Sequence, residues 1–189
     1  MIHFTLLRLG LALGLVFGLA FRHVTAAEKV AEQPSAEECA EFGHWVVEVF
    51  DAKEFGELTK RFNALAFARL ITKDLGFSDN EILEMSAGVR RTIGGNMEAD
   101  LKTFEEAHFV RVQEKDGQRR ALIRFTRADG AVNYMAFICT RTEGGMTWTD
   151  FFTYLTGEPA SAASRRLLLP IAAEMKKTML QKLTSSESA

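Results

Sequence analysis

Asp150 is the residue of this sequence whose type and position most suggest chemistry. It lies within residues 148–154, an aromatic and Thr-rich segment with the character of a β-strand, where Asp is disfavoured. Alternation along a strand places its side chain on one face with those of Met146, Trp148, Phe152 and Tyr154. A carboxyl group among aromatic rings has a raised pKa and can act as a general acid or base. The sequence therefore makes Asp150 the first candidate for a catalytic residue.

A structural role explains the same residue. A buried carboxylate is commonly held by hydrogen bonds from a neighbouring strand, from an arginine such as Arg124, or from a backbone turn. The spacing fixes no second residue with a clear catalytic role, although His108, at the start of the first predicted strand, is a candidate partner. We therefore favour the structural role of Asp150.

Three aromatic side chains are candidates for ligand binding together with Asp150. Tyr134 and Tyr154 are the only tyrosines of the chain, and each lies on a predicted strand with a hydroxyl group that can orient a ligand. Trp148 completes the predicted binding set. Packing at the rim explains the two tyrosines equally well, and for Trp148 we favour a position in the core.

Other classes of function find little support in the composition and spacing. The chain has 23 Lys and Arg against 25 Asp and Glu, whereas a nucleic-acid binder normally carries a basic surplus on one face. It contains no Cys-x-x-Cys, no His-x-x-x-His and no Gly-x-Ser-x-Gly motif. We therefore predict no metal, no cofactor and no nucleic-acid partner.

Cys39 and Cys139 are the only cysteines of the chain. In an oxidising compartment a disulfide between them would close a loop of about 100 residues. Both positions face inward in the predicted elements, and free cysteines are often buried. A disulfide and two buried thiols are equally compatible with the sequence.

The first 26 residues predict export. One basic residue, Arg8, precedes an apolar run over residues 9–21 and a small-residue string at 24–27, which is the order of a cleavable signal peptide. The run is shorter than the roughly 20 residues of a membrane-spanning helix. We expect a periplasmic or secreted protein without a stable membrane span, with one domain at residues 35–183 and a disordered tail at 184–189.

The first half of this domain has helical periodicity. Ser35 and Glu38 have the spacing of a capping box and predict a helix whose inner side carries Cys39, Phe42, Val46 and Val49. A second helix follows residues 51–54 and ends near Gly76, with Phe55, Leu58, Phe62 and Leu65 on its inner side. A third begins at Ser78 and stops at Gly94-Gly95, and a short helical piece carries Met97, Leu101 and Phe104.

Alternating side chains in the second half predict four strands at about 108–114, 119–127, 131–140 and 146–155. Asp-Gly pairs at 116–117 and 129–130 favour hairpins, so consecutive strands should pair antiparallel as a meander. A last helix follows, opened or kinked by Pro170, with an inner stripe formed by Leu168, Ile171, Ala172, Met175 and Met179. The predicted fold is α+β, with N-terminal helices packed in a curved four-stranded sheet and a C-terminal helix.

This order of elements resembles the NTF2-like, or cystatin-like, α+β superfamily, in which a bent sheet folds over helices to form a cone with a pocket. Residues 133–137 and 148–158, followed by Arg165-Arg166, look like a pattern in uncharacterised exported bacterial proteins. The resemblance covers about residues 107–170 and implies a fold and an envelope location without an established activity. In cone-shaped members that are enzymes, the carboxylate of an acidic residue in the pocket acts as the general base. The resemblance implies that Asp150 would take that role here.

Three functions follow from these observations. We favour an exported, non-catalytic module that binds a small apolar ligand or an envelope protein. The second is a small pocket enzyme, an isomerase, dehydratase or hydrolase, that uses Asp150 with Tyr134, Tyr154 or His108. The third is a structural module that forms a homodimer through an exposed sheet face carrying Trp148 or Phe151.

Overall fold

The computed structural model describes residues 33–186, so the predicted signal peptide and residues 187–189 of the predicted tail lie outside the described residues. The fold is α+β, as the sequence predicts. The helices are α1 (Ala36–Asp51), α2 (Phe55–Lys60), α3 (Ala64–Thr72), α4 (Asp79–Leu101) and α5 (Ala160–Ser186). The strands are β1 (Glu106–Lys115), β2 (Gln118–Thr126), β3 (Val132–Thr142), β4 (Gly145–Thr153) and β5 (Glu158–Pro159).

The first helix follows its sequence signals closely. The Ser35 side chain accepts a hydrogen bond from the Glu38 N–H, and the Glu38 side chain accepts one from the Ser35 N–H, which completes the predicted capping box. The predicted inner residues Cys39, Phe42, Val46 and Val49 are all buried. This side of α1 packs against β1 and β2.

The predicted second helix is two helices, and the prediction of one continuous helix was wrong. Between α2 and α3, the Trp148 N–H donates to the Arg61 carbonyl (3.0 Å), and the Asn63 N–H donates to the Trp148 carbonyl (2.8 Å). The Asn63 side chain then accepts from the Ala66 N–H and begins α3. Because the chain pairs with β4 at Phe62, the helix is interrupted there although its apolar spacing is helical.

The predicted end of the third helix at Gly94-Gly95 was also wrong, because α4 continues through both glycines to Leu101. A Cβ atom at Gly94 would lie 2.4 Å from Cγ2 of Thr59. Gly94 is therefore a point of close approach between α2 and α4, and a glycine there need not end the helix. The short helical piece expected around Met97 is the last part of α4.

The four predicted strands form the predicted antiparallel meander. The sheet has five strands rather than four, in the order β1-β2-β3-β4-β5, and it is not closed. The additional strand, β5, has only two residues and pairs with Phe152 and Thr153 of β4. A pairing that short leaves no alternating pattern for a sequence analysis to detect.

The last helix begins at Ala160, ten residues before Pro170. Of the two roles predicted for this proline, opening the helix was wrong, because Pro170 lies inside α5. Leu168 and Ala172 are buried as expected, whereas Ile171 is 41% exposed and does not belong to the inner stripe. The side chains of Met175 and Met179, the other predicted members, lie outside the described residues. Within residues 33–186, no helix is both long and apolar enough to cross a membrane.

Candidate functional site

The two faces of the sheet have different roles. One face, here called the core face, packs against the helices with the large side chains Ile123, Phe125, Phe137 and Trp148. The strand register aligns the residues of the opposite face, here called the second face, in cross-strand rows. One row is formed by Gln113, Arg120, Ile138 and Asp150, and another by His108, Arg124 and Tyr134.

A β-bulge separates Asp150 from Trp148. Cys139 pairs with Trp148 and its neighbour Ile138 pairs with Asp150, so Thr149 is an extra residue in β4. The expectation that Asp150 shares a face with Met146 and Trp148 was therefore wrong, although Asp150 does share one with Phe152. The bulge turns the carboxylate away from the helical core.

Trp148 is part of the core. Its ring is fully buried and stacks on Phe62, with 4.2 Å between ring centroids. Its indole Nε1–H donates to the Leu58 carbonyl (2.8 Å). The helices α2 and α3 thus enclose the side chain that the sequence grouped with the binding residues.

The Asp150 carboxylate is held by the start of α5. Only 2% of Asp150 is exposed. Its Oδ1 accepts from the Phe151 N–H (2.8 Å) and from the Ser161 N–H (3.1 Å), and its Oδ2 accepts from the Ser161 hydroxyl. Because Ser161 lies in the first turn of α5, the carboxylate caps that helix from a neighbouring strand.

The pKa of Asp150 is raised above its ordinary value because burial removes the carboxylate from water. The hydrogen bonds from Ser161 and Phe151 and the positive charge of Arg120 oppose that rise. The arginine that contributes is therefore Arg120 and not Arg124. Both carboxylate oxygens already accept hydrogen bonds from within the chain, as in the structural role favoured above.

Ser161 and Arg120 are the partners of Asp150 that the sequence analysis missed. Pro159, directly before α5, is a usual signal for a helix start. The position of Arg120 depends on strand register across β3, which no local pattern reveals.

The predicted tyrosines meet at the second face. Tyr134 and Tyr154 have ring centroids 6.1 Å apart, and Tyr154 and Phe152 have centroids 5.1 Å apart. These three residues are here called the aromatic cluster. The Tyr154 hydroxyl donates to Oε1 of Gln113 (3.2 Å), which brings a residue next to β4 into contact with β1. Tyr134 is 37% exposed and Tyr154 is 50% exposed.

Two arginines of β2 lie on the same face as the aromatic cluster. The Arg120 side chain is only 7% exposed, and its Nη2 donates to Oε1 of Gln118 (3.3 Å) and lies 3.6 Å from Asp116. The Nε atoms of Arg120 and Arg124 are buried and have no hydrogen-bond partner within residues 33–186. Each arginine therefore retains an unused donor.

His108 does not join Asp150. Its imidazole is about half exposed, and Nε2 lies 3.5 Å from Oε2 of Glu106 on the same strand. The register aligns His108 with Arg124 and Tyr134, whereas Asp150 belongs to the row of Ile138 and Arg120. The strand pairing thus gives no acid-base pair between the two catalytic candidates.

The two cysteines do meet. The Sγ atoms of Cys39 and Cys139 are 2.9 Å apart, and both side chains are buried as free thiols. Their hydrogen bond lowers the pKa of Cys39, while the same contact and burial raise the pKa of Cys139. Within residues 33–186, no group of three His, Cys, Asp or Glu side chains is placed to hold a metal ion.

Comparisons of the chain with protein-family models, with curated proteins and with solved structures find no match. The resemblance to the NTF2-like superfamily therefore stays a prediction. The fold described above defines an α+β protein with an open five-stranded antiparallel sheet.

Proposed function

We propose that this protein is an exported, non-catalytic binding module and that its binding surface is the second face of the sheet. Its ligand is a small, partly apolar molecule with an anionic group. The observation that carries this proposal is the half-exposed aromatic cluster on the same face as two arginines whose buried Nε atoms have no partner. Aromatic rings bind the apolar part, and guanidinium groups bind carboxylate or phosphate groups well.

The surroundings of the aromatic cluster support a binding surface. Two large apolar side chains nearby are exposed. Val132, at the start of β3, is about half exposed, and Leu155, just after Tyr154, is mostly exposed. Arg111 and Lys115 of β1 belong to the same face, and the Lys115 ammonium lies 5.7 Å from the Phe152 ring centroid. The accessible apolar area of this face lies at the aromatic cluster and Val132, beside these positive charges, whereas Leu122, Ala136 and Ile138 in the middle of the face are buried.

The enzyme alternative receives less support. A general acid or base must have a free oxygen or proton within reach of the substrate. The Asp150 oxygens instead accept from Ser161 and Phe151, and His108 belongs to another row. The homodimer alternative expected Trp148 or Phe151 on an open face, whereas Trp148 is buried and Phe151 packs against the core.

We further propose that the sheet curves toward the second face, whereas the sheet of the NTF2-like fold bends over its helices. Adjacent strands lie about 4.8 Å apart, so three spacings separate β1 from β4 by about 14 Å in a flat sheet. The hydrogen bond between Tyr154 and Gln113 spans that separation. A curved sheet brings the two ends together and gives the ligand a concave surface.

The export part of the proposal rests on the order of residues 1–27 described above. Edman sequencing or mass spectrometry of protein recovered from the medium or periplasm measures the mature N-terminus. An N-terminus at residue 27 is expected. Protein that still begins at Met1 would contradict cleavage.

Binding is tested with 1-anilinonaphthalene-8-sulfonate, a dye that joins aromatic rings to an anionic sulfonate. The folded protein should enhance its fluorescence with saturation. We expect Tyr154→Ala and Arg124→Gln each to raise the apparent dissociation constant of the dye about threefold to tenfold. This is the effect of losing one aromatic or charged contact. The control is Leu83→Ala, which removes an exposed apolar residue of α4 away from the sheet.

The outcome of the dye titration has two readings. Weakening by the two sheet variants alone, with circular dichroism unchanged, supports the second face. No enhancement by the wild type, or equal weakening by Leu83→Ala, contradicts the proposal.

A further inference from the structure

The two buried thiols lie at a junction between elements that are far apart in the chain. Cys39 belongs to the first turns of α1 and Cys139 to β3, 100 residues later. Their Sγ atoms are 2.9 Å apart, about 0.9 Å more than the length of a disulfide bond. A small adjustment of the two side chains is enough to close that difference.

Other chemistries for a thiol pair fit this site less well. A zinc site needs about four ligands, and no further His, Cys, Asp or Glu joins these two within the described part of the chain. A catalytic dithiol must be reached by its substrate, whereas Cys39 is 0% and Cys139 is 3% exposed. The remaining chemistry for the pair is a structural bond.

We propose that Cys39 and Cys139 are joined by a disulfide in the oxidised protein and that this bond forms before α1 packs onto the sheet. The oxidant is a low-molecular-weight disulfide such as oxidised glutathione. One thiolate attacks a glutathione sulfur and releases one glutathione thiol, leaving a mixed disulfide. The second thiolate then attacks the protein sulfur of the mixed disulfide and releases the second glutathione thiol.

The order of events follows from burial. Both sulfur atoms are buried in the folded protein, so glutathione disulfide cannot reach either of them. The exchange must therefore occur in a partly folded chain, before α1 packs onto the sheet. A native protein that was folded in the reduced state should accordingly resist oxidation.

Refolding of the denatured, reduced protein tests both parts. One sample refolds with reduced and oxidised glutathione, and a second refolds with reductant alone. A third sample, folded in the reduced state, receives the same glutathione mixture without denaturant. Each sample is then denatured in acid, alkylated with N-ethylmaleimide and weighed as intact protein. Cys39→Ser and Cys139→Ser, refolded with the glutathione mixture, serve as controls.

The expected masses are distinct because the chain has only two cysteines. The first sample should carry no alkyl group and the second should carry two. The third should retain two for at least ten times the refolding period, and the single variants should never lose their thiol to an internal bond.

Two results would overturn the proposal. Two alkyl groups, or a disulfide-linked dimer, in the first sample would show that the pair does not close. Oxidation of the third sample as fast as the first would show that native burial does not protect the thiols.

Discussion

The Asp150 carboxylate accepts hydrogen bonds from both the backbone N–H and the hydroxyl of Ser161, a residue 11 positions later in the chain. One side chain of β4 thereby determines where α5 begins. A β-bulge at Thr149 directs Asp150 to the second face, where this contact is made. The residue that the sequence marks as a catalytic candidate thus has a clear structural function.

Replacement of Asp150 should separate the loss of hydrogen bonds from the loss of charge. Asp150→Ala leaves two N–H donors and the Ser161 hydroxyl without their acceptor, and should lower the free energy of unfolding by about 2–4 kcal/mol. Asp150→Asn keeps an acceptor oxygen and should cost less. Urea denaturation measures both values, and Asp129→Ala, which removes an exposed carboxylate that accepts from the Ala131 N–H, is the control. An equal loss in Asp129→Ala and Asp150→Ala would contradict the capping role.

Stability should also depend on pH through Asp150. Because burial raises the pKa in the folded protein above 3.8, the native state keeps a proton that the unfolded chain has already lost. The free energy of unfolding should therefore fall as the pH rises from 3.8 to the raised pKa, and then level off. Asp150→Asn lacks this fall, so the difference between the two unfolding curves isolates it. A difference that is constant across this range would show that the pKa is not raised.

The neighbouring glycines of α4 should respond in opposite directions to alanine. Gly94→Ala forces a Cβ atom against Thr59 and should destabilise the protein by about 1–3 kcal/mol. Gly95→Ala meets nothing within 4 Å and should stabilise the helix by about 0.5–1 kcal/mol. Thermal or urea unfolding measures both changes. Addition of Thr59→Ala should recover most of the loss in Gly94→Ala, and failure to do so would remove Thr59 as the cause.

The proposed disulfide should contribute to stability. A bond that closes a loop of this length is expected to raise the free energy of unfolding by about 2–4 kcal/mol. Urea unfolding of the oxidised protein with and without dithiothreitol measures the difference. The double variant Cys39→Ala and Cys139→Ala should show no effect of the reductant. An oxidised protein that is no more stable than the reduced one would indicate that bond formation strains the native packing.

The sequence was most informative where structure is determined locally. The capping box at Ser35 and the apolar spacing around Phe42 predicted α1, and Asp-Gly turns predicted the meander. The break between α2 and α3 could not be predicted in this way. It depends on backbone hydrogen bonds to Trp148, which is more than 80 residues away in the sequence.

The site was predicted only in part for the same reason. Asp150 and Tyr154 lie on one face, as alternation suggested, and the strand register places Tyr134 of β3 on the same face. The extra residue Thr149 reversed the alternation between Trp148 and Asp150. Ser161 contacts Asp150 because a turn and β5 bring the chain back to β4. This contact depends on tertiary structure, so local sequence patterns do not predict it.

The pairing of Phe62 with Trp148 also bears on how the protein avoids aggregation. An unpaired strand edge is a template for intermolecular β-sheet. On β4, residues 61–63 occupy the edge at Trp148 and β5 occupies it at Phe152 and Thr153. At the other margin of the sheet, β1 has an irregular register beside Val110 and exposed charged side chains at Glu106 and Glu114. Both margins are thus poor templates, so the sheet can present an accessible aromatic face without extending from one molecule to the next.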